Sequence, residues 1–131
     1  MLYKNHAIAR VSCPVVKDAD ITDMRLGSPF ALDAAFHAAC ILGQREFCIV
    51  GFPVGIERRS VFKKAMPGSS YNCLAEYLPG KRAGLEIEQG VYRFNLTVYD
   101  DEMNVFETAE GLQMKDVSNG KLAAPAWLTA Y

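Results

Sequence analysis

Asp33 and His37 are the two side chains able to carry charge in an otherwise apolar stretch spanning residues 30–42. A carboxyl group and an imidazole are the residue types of general acid–base chemistry. If the stretch is helical, their spacing of four puts them on one face with Cβ atoms about 5–6 Å apart, so they can touch or share one ligand. A carboxyl group in the first turns of a buried helix feels opposing effects: the helix N-terminus favours the anion, desolvation the neutral acid. An unpaired charge buried there is costly, so Asp33 is expected to have a partner, a wet cavity, or both. Each residue also has a plainer reading. Asp33 can cap backbone donors near the helix start, and His37 can be a satisfied core residue.

Other reactive residue types lack a supporting pattern. His6 stands near the start of an extended segment with no carboxylate at a helpful spacing, so it is read as structural or exposed. Cys13, Cys40, Cys48 and Cys73 show no C-x-x-C pairing. The run from Gly51 to Gly55 lacks the strand-to-helix context of a phosphate loop, and no serine sits in a G-x-S-x-G elbow. Arg58, Arg59, Lys63 and Lys64 form the densest basic cluster, read as a solvated strand end rather than a phosphate or carrier-protein contact. No metal or organic cofactor is implied.

The elements that must position Asp33 and His37 can be read from pattern. Residues 3–16 read as an extended segment ending at Cys13-Pro14, and 17–27 as a polar connection. Ser28 as N-cap and Pro29 at the first helical position open a helix over 30–42, closed by Gly43. Alanine-rich and apolar almost all round, that helix is expected to be buried on most sides. Residues 47–63 read as one strand bent around Gly51, Pro53 and Gly55, followed by a turn at 66–68. Tyr71, Cys73, Ala75 and Tyr77 then alternate with polar neighbours, a loop follows at 79–84, and Tyr92, Phe94, Leu96 and Val98 alternate again. A hairpin loop at 100–104 leads into a return strand over 105–114. Residues 117–131 carry no assignable pattern. One strand, a buried helix and a meander make an α+β order, matching a bent antiparallel sheet wrapped around a central helix.

Length and composition agree with one domain over 1–131. A chain of 131 residues, 50% of them apolar, buries a substantial core without disulfides or metals. The net charge of -1 comes from mixed acidic and basic residues, which argues against nucleic acid and anionic membrane as partners. Apolar stretches are too short to span a bilayer, and nothing at the N-terminus looks like a signal peptide. A cytoplasmic protein with reduced thiols is the expectation.

The stretch 28–37, Ser-Pro-Phe-Ala-Leu-Asp-Ala-Ala-Phe-His, resembles the helix motif H-P-x-x-L-D-x-x-x-Q/H of polyketide synthase dehydratases, in the C-terminal half of their double hot-dog domain. Residues 52–58 resemble the following strand of that family, and 91–97, 100–104 and 109–114 its closing hairpin. The resemblance covers about 5–116. It implies a hot-dog fold and the removal of water from a β-hydroxyacyl thioester held on an acyl carrier protein, in polyketide or fatty acid synthesis. By the same resemblance Asp33 is the catalytic acid that handles the departing hydroxyl, and His37 helps hold it.

Two departures stand beside the match. Ser28 replaces the histidine that opens the motif. More consequentially, the family's α-proton base is a histidine in an H-x-x-x-G-x-x-x-x-P motif of an upstream hot-dog domain. His6, followed by Arg10 and Pro14, does not fit that motif. The chain is therefore expected to pair with a second hot-dog domain that supplies the base, to form a homodimer in which His37 is the base, or to be a non-catalytic acyl-binding or assembly module. Hydrolysis, as in hot-dog acyl thioesterases, is a further alternative.

Overall fold

Alternation of apolar and polar residues becomes alternation of burial in the computed structural model, which describes residues 1–15, 26–79 and 90–129. Strand β1 (His6–Ser12) buries Ala7 and Val11, β4 (Ser70–Tyr77) buries Tyr71, Cys73 and Ala75, and β5 (Val91–Tyr99) buries Phe94, Leu96 and Val98. With β6 (Val105–Lys115) and the short strands β2 (Phe52–Gly55) and β3 (Arg58–Val61), they form a six-stranded antiparallel sheet of order β1-β4-β5-β6-β2, in which β3 also pairs with β6. Every adjacent pair is antiparallel, and one 18-residue helix, α1 (Phe30–Phe47), packs against β1, β4 and β5. This is the α+β, hot-dog architecture expected from the order of elements.

The core lies between α1 and the sheet. Phe94, Leu96, Val98, Leu112, Met114 and Cys73 meet Leu42 and the small residues Ala31, Ala35, Ala38 and Ala39 of the helix. Alanines there let the helix backbone sit close to the strands, while large side chains from the sheet fill the volume. Burial pushes the Cys73 thiol up to about 12.

Three features of α1 differ from the sequence reading. Gly43 does not end the helix, which continues to Phe47 and closes on Cys48 in a left-handed conformation (φ 56°), its N–H donating to the Gln44 carbonyl at 3.0 Å. A Cβ on Gly43 would lie 3.6 Å from the Phe94 ring, so this glycine faces the core rather than a turn. Secondly, Ser28 does not cap. Pro29 occupies the N-cap position without a side-chain cap bond, and the Ser28 hydroxyl is buried with no partner among the described residues. Thirdly, the helix is buried on one face only, and Asp33, His37 and Ile41 are exposed. Its alanine content makes every face read as apolar, but a single sheet covers just one of them.

The single bent strand expected over 47–63 is the end of α1 followed by β2 and β3, separated at 56–57. The cause is in β6. Phe94 pairs with Leu112 but Leu96 with Ala109, so β6 carries one extra residue there, with Gly111 at φ 62°. The Gly111 N–H turns to the Asn95 side-chain oxygen at 3.0 Å, and the Glu57 side chain lies against the glycine where a Cβ would collide. Glu57 also pairs with Arg93. The β5–β6 loop is tied by Asp100, whose carboxylate accepts from the Glu102 and Asn104 backbones and the Asn104 amide, and by a bidentate Arg10–Asp101 pair. The unassigned C-terminal stretch contains a short helix, α2 (Ala126–Thr129), whose Leu128 is buried, and α2 contacts α1. The polar connection expected at 17–27 and the loop at 79–84 lie largely outside the described residues.

Candidate functional site

The exposed face of α1 carries Asp33, His37, Cys40 and Gln44 at offsets of four, seven and eleven, which stack along one stripe of a helix. Opposite that stripe run the residues from Val50 to Pro53, and Met114 of β6 lies between. Together Asp33, Phe36, His37, Cys40, Val50, Gly51, Phe52, Pro53 and Met114 line an open groove of about 310 Å³. Its walls are apolar apart from the Asp33–His37–Cys40 side, the usual composition of a small-molecule site. A Cβ on Gly51 would lie 3.2 Å from the Met114 side chain, so this glycine lets the wall approach β6 closely.

Within the groove, His37 Nδ1 lies 2.9 Å from the Asp33 backbone carbonyl and 4.0 Å from its carboxylate. A carbonyl oxygen only accepts, so Nδ1 donates and carries a proton, and Nε2 is the ring nitrogen turned away from that bond. The expected hold of His37 on the Asp33 carboxyl is thus a contact at the edge of ion-pair range, and the firmer bond goes to the backbone. The two side chains are 68% and 74% exposed for Asp33 and His37 respectively. The buried carboxyl expected from the sequence is therefore not what the structure has: Asp33 is exposed along an open groove, because the sheet covers only the other face of α1.

His6 lies elsewhere. Ala7 and Val11 face the core, so His6 and Ile8 face the opposite side of the sheet, with Leu74, Glu76, Thr97, Tyr99, Met103 and Val105 around a second shallow groove. His6 stacks on Tyr3, ring centroids 4.4 Å apart, and the sheet separates it from Asp33. The basic cluster is partly engaged: Arg59 pairs with the buried Glu107, and Lys63 stands over the Phe106 ring at 5.6 Å. Among the described residues, no group of His, Cys, Asp and Glu side chains could hold a metal ion, and no helix is long and apolar enough to cross a membrane.

Sequence reading passed over Cys40, Gln44 and the opposite wall. The offsets of Cys40 and Gln44 from Asp33 were legible once helicity was assumed through residue 44, but ending the helix at Gly43 hid the second. Met114 had no local signal, because only the pairing of β6 with β2 brings it to the groove.

Fold and groove together define a hot-dog domain with a carboxyl and an imidazole on its helix, and solved structures match its fold. The dehydratase domain of RzxB from Pseudomonas fluorescens matches with a TM-score of 0.59 and 18% identity over 85% of this chain and 37% of that one. The pyran synthase domain from module nine of the sorangicin pathway matches with a TM-score of 0.64 and 14% identity over 88% of this chain and 41% of that one. The chain therefore spans about two fifths of the length of these structures. No curated protein matches it. The family model described as the polyketide synthase dehydratase N-terminal domain matches residues 2–124, and the chain belongs to that family. That description refers to the N-terminal domain, whereas the helix motif resembles the C-terminal half; the match carries the family and does not support the expected half.

Proposed function

We propose that the chain supplies the acid-bearing half of a composite dehydratase site acting on β-hydroxyacyl thioesters presented by an acyl carrier protein in polyketide or fatty acid assembly. Asp33 donates a proton to the β-hydroxyl as its carbon–oxygen bond breaks, because hydroxide leaves poorly without one. A base removes the α-proton, the carbon–hydrogen electron pair forms the double bond, and water departs. His37 stands one turn from Asp33 on the same groove wall, its Nδ1 4.0 Å from the carboxylate.

One observation carries this reading: Asp33 and His37 share a helix stripe that lines an apolar groove with an open side. A carboxylic acid works as a proton donor near neutral pH when its surroundings disfavour the anion. The exposure of Asp33 means that this desolvation must come from a cover over the groove. A second hot-dog domain, or a second copy of this chain, is the cover that also brings a base. The two-fifths coverage of the matched structures supports the first, and the absence of the base motif around His6 requires one of them. The resemblance of the helix motif supports the acid-bearing, C-terminal-type side of such a pair, and the carrier-bound substrate of this reading goes with a cytoplasmic setting.

Incubation of the purified chain with a β-hydroxybutyryl pantetheine thioester, alone and with a hot-dog domain bearing the histidine motif, tests the reading by mass spectrometry. An enoyl thioester that disappears in Asp33→Asn is the expected product. A free acid would instead mark a thioesterase. Unchanged substrate under both conditions would mark a non-catalytic acyl-binding module.

A further inference from the structure

The basic cluster on β3 and the turn after it has no part in the proposed elimination, yet the fold sets it beside the acid. Arg58, Lys63 and Lys64 are exposed. Residues 62–66 run past the start of α1: the Ser28 N–H donates to the Ala65 carbonyl at 2.8 Å, and a Cβ on Gly27 would lie 3.0 Å from the Lys64 Cα. Asp33 follows the N-cap Pro29 by four residues, about 6 Å along the helix axis. The cations therefore stand at the end of α1 that carries Asp33. Arg59 is occupied by Glu107, and Lys63 lies over the Phe106 ring. Lys64, and Arg58 although it faces Glu110 in the β3–β6 register, have no ion-pair partner among the described residues. Apolar side chains stand among these cations: Phe62 is 65% exposed, Met66 52% and Phe30 39%. Large apolar groups exposed beside unpaired cations exceed what a solvated strand end needs and suit an acidic protein surface with apolar residues of its own.

We infer that this surface, made by Arg58, Phe62, Lys63, Lys64 and Met66, docks the acidic face of the acyl carrier protein that delivers the thioester. The identity of the partner rests on the proposed function; the surface and its charge do not. The groove gives the direction of approach. Asp33 is the most N-terminal of the α1 residues that line it, and Phe36, His37 and Cys40 all lie further along the helix. A β-hydroxyacyl group whose hydroxyl meets Asp33 lays its apolar tail along Phe36, Cys40 and Met114 when its thioester end leaves toward the start of α1. The carrier is then on the side where residues 62–66 run. Opposite charge on the two faces speeds their encounter and sets orientation, while Phe62 and Met66 supply apolar area to bury. An anionic bilayer is the less suitable occupant, because the chain as a whole carries a net charge of -1.

The test measures binding and needs no dehydration. An acidic acyl carrier protein in its apo form, without the pantetheine arm, is titrated into the full chain by calorimetry at low and at physiological salt. Binding that weakens as salt rises is expected, since exposed charge pairs are screened. Arg58→Glu and Lys64→Glu should each weaken it by about fivefold or more at low salt, because each replaces an exposed attraction with a repulsion. Phe62→Ser should weaken it without changing its salt dependence. Lys121→Glu is the control: Lys121 is exposed near the other end of α1, where Ala123 bridges Ile49, and its reversal should leave binding unchanged. All variants are checked for an unchanged melting curve. No binding at low salt, an affinity indifferent to salt, or an equal loss in Lys121→Glu would each overturn the inference. So would sedimentation of the chain with phosphatidylglycerol vesicles in place of carrier binding. Carrier binding by a chain that does not dehydrate defeats the functional reading alone. Dehydration of a carrier-bound substrate at a rate that Arg58→Glu and Lys64→Glu leave untouched defeats this one alone.

Discussion

Replacing Gly111 with alanine perturbs the fold at the point where β6 hands its pairing from β3 to β2, and so reaches the groove wall. Two costs follow from the structure. At φ 62° an alanine sits in the left-handed region, which costs about 1–2 kcal/mol. Its Cβ would also lie 2.6 Å from the Glu57 carboxyl group, forcing that side chain away from Arg93. The Arg93 side chain is only 14% exposed and its Nε already lacks a partner among the described residues. Losing a charge-assisted hydrogen bond there costs about 1.5–3 kcal/mol. If both apply in full, the variant loses about 2.5–5 kcal/mol, a large share of the ~5–15 kcal/mol that holds a typical domain. Thermal unfolding should show Tm lower by on the order of 10 °C or more. Gly120→Ala is the control, because Gly120 also has positive φ (75°) but nothing within 4 Å of its added Cβ. It should show only the backbone cost of about 1–2 kcal/mol. Equal melting temperatures for the two variants would refute the Glu57 collision, and a Gly111→Ala protein as stable as wild type would refute the bulge geometry itself.

Other perturbations have equally definite outcomes. Gly43→Ala should stabilise the protein by about 0.5–1 kcal/mol in urea titration, since a helix-interior glycine is replaced where its Cβ meets Phe94 at ordinary contact distance. Arg59→Ala should cost about 3 kcal/mol in the same assay, because Glu107 is left 3% exposed without its ion-pair partner. Hydrogen bonds from Arg10 and then Asn72 hold the Asp101 carboxyl at about 2, below its ordinary 3.8. A depressed carboxylate stabilises the fold above its unfolded value and loses that contribution as pH falls through the folded one. Wild type should therefore lose stability between pH 4 and 2 more steeply than Asp101→Asn, and parallel curves would count against the pairing.

The sequence made the strands legible wherever one face is buried. Tyr71, Cys73 and Ala75, then Phe94, Leu96 and Val98, alternate because the sheet has a core side and an outer side. What it concealed depends on partners distant in the chain. Gly43 looked like a helix stop, but packing on Phe94 keeps it helical. The division of 52–61 into β2 and β3 is set by an extra residue in β6, some fifty positions away. For the site, the Asp33–His37 spacing was visible at once, since a helix period needs only local reading. Its openness was not, because Ala34 and Ala38 look alike in sequence whether a sheet covers them or leaves them half open. Met114 and Phe52 joined the groove only through strand pairing.

The proton donor is the centre of the functional account, and one rate measures it. Formation of the enoyl thioester from a β-hydroxybutyryl carrier-protein substrate is compared for wild type and Asp33→Asn, each with its covering domain and each with the same melting curve. The amide keeps the size of the side chain but has no acidic proton, so the rate should fall by about 100-fold or more. An Asp33→Asn protein that dehydrates as fast as wild type would contradict the assignment.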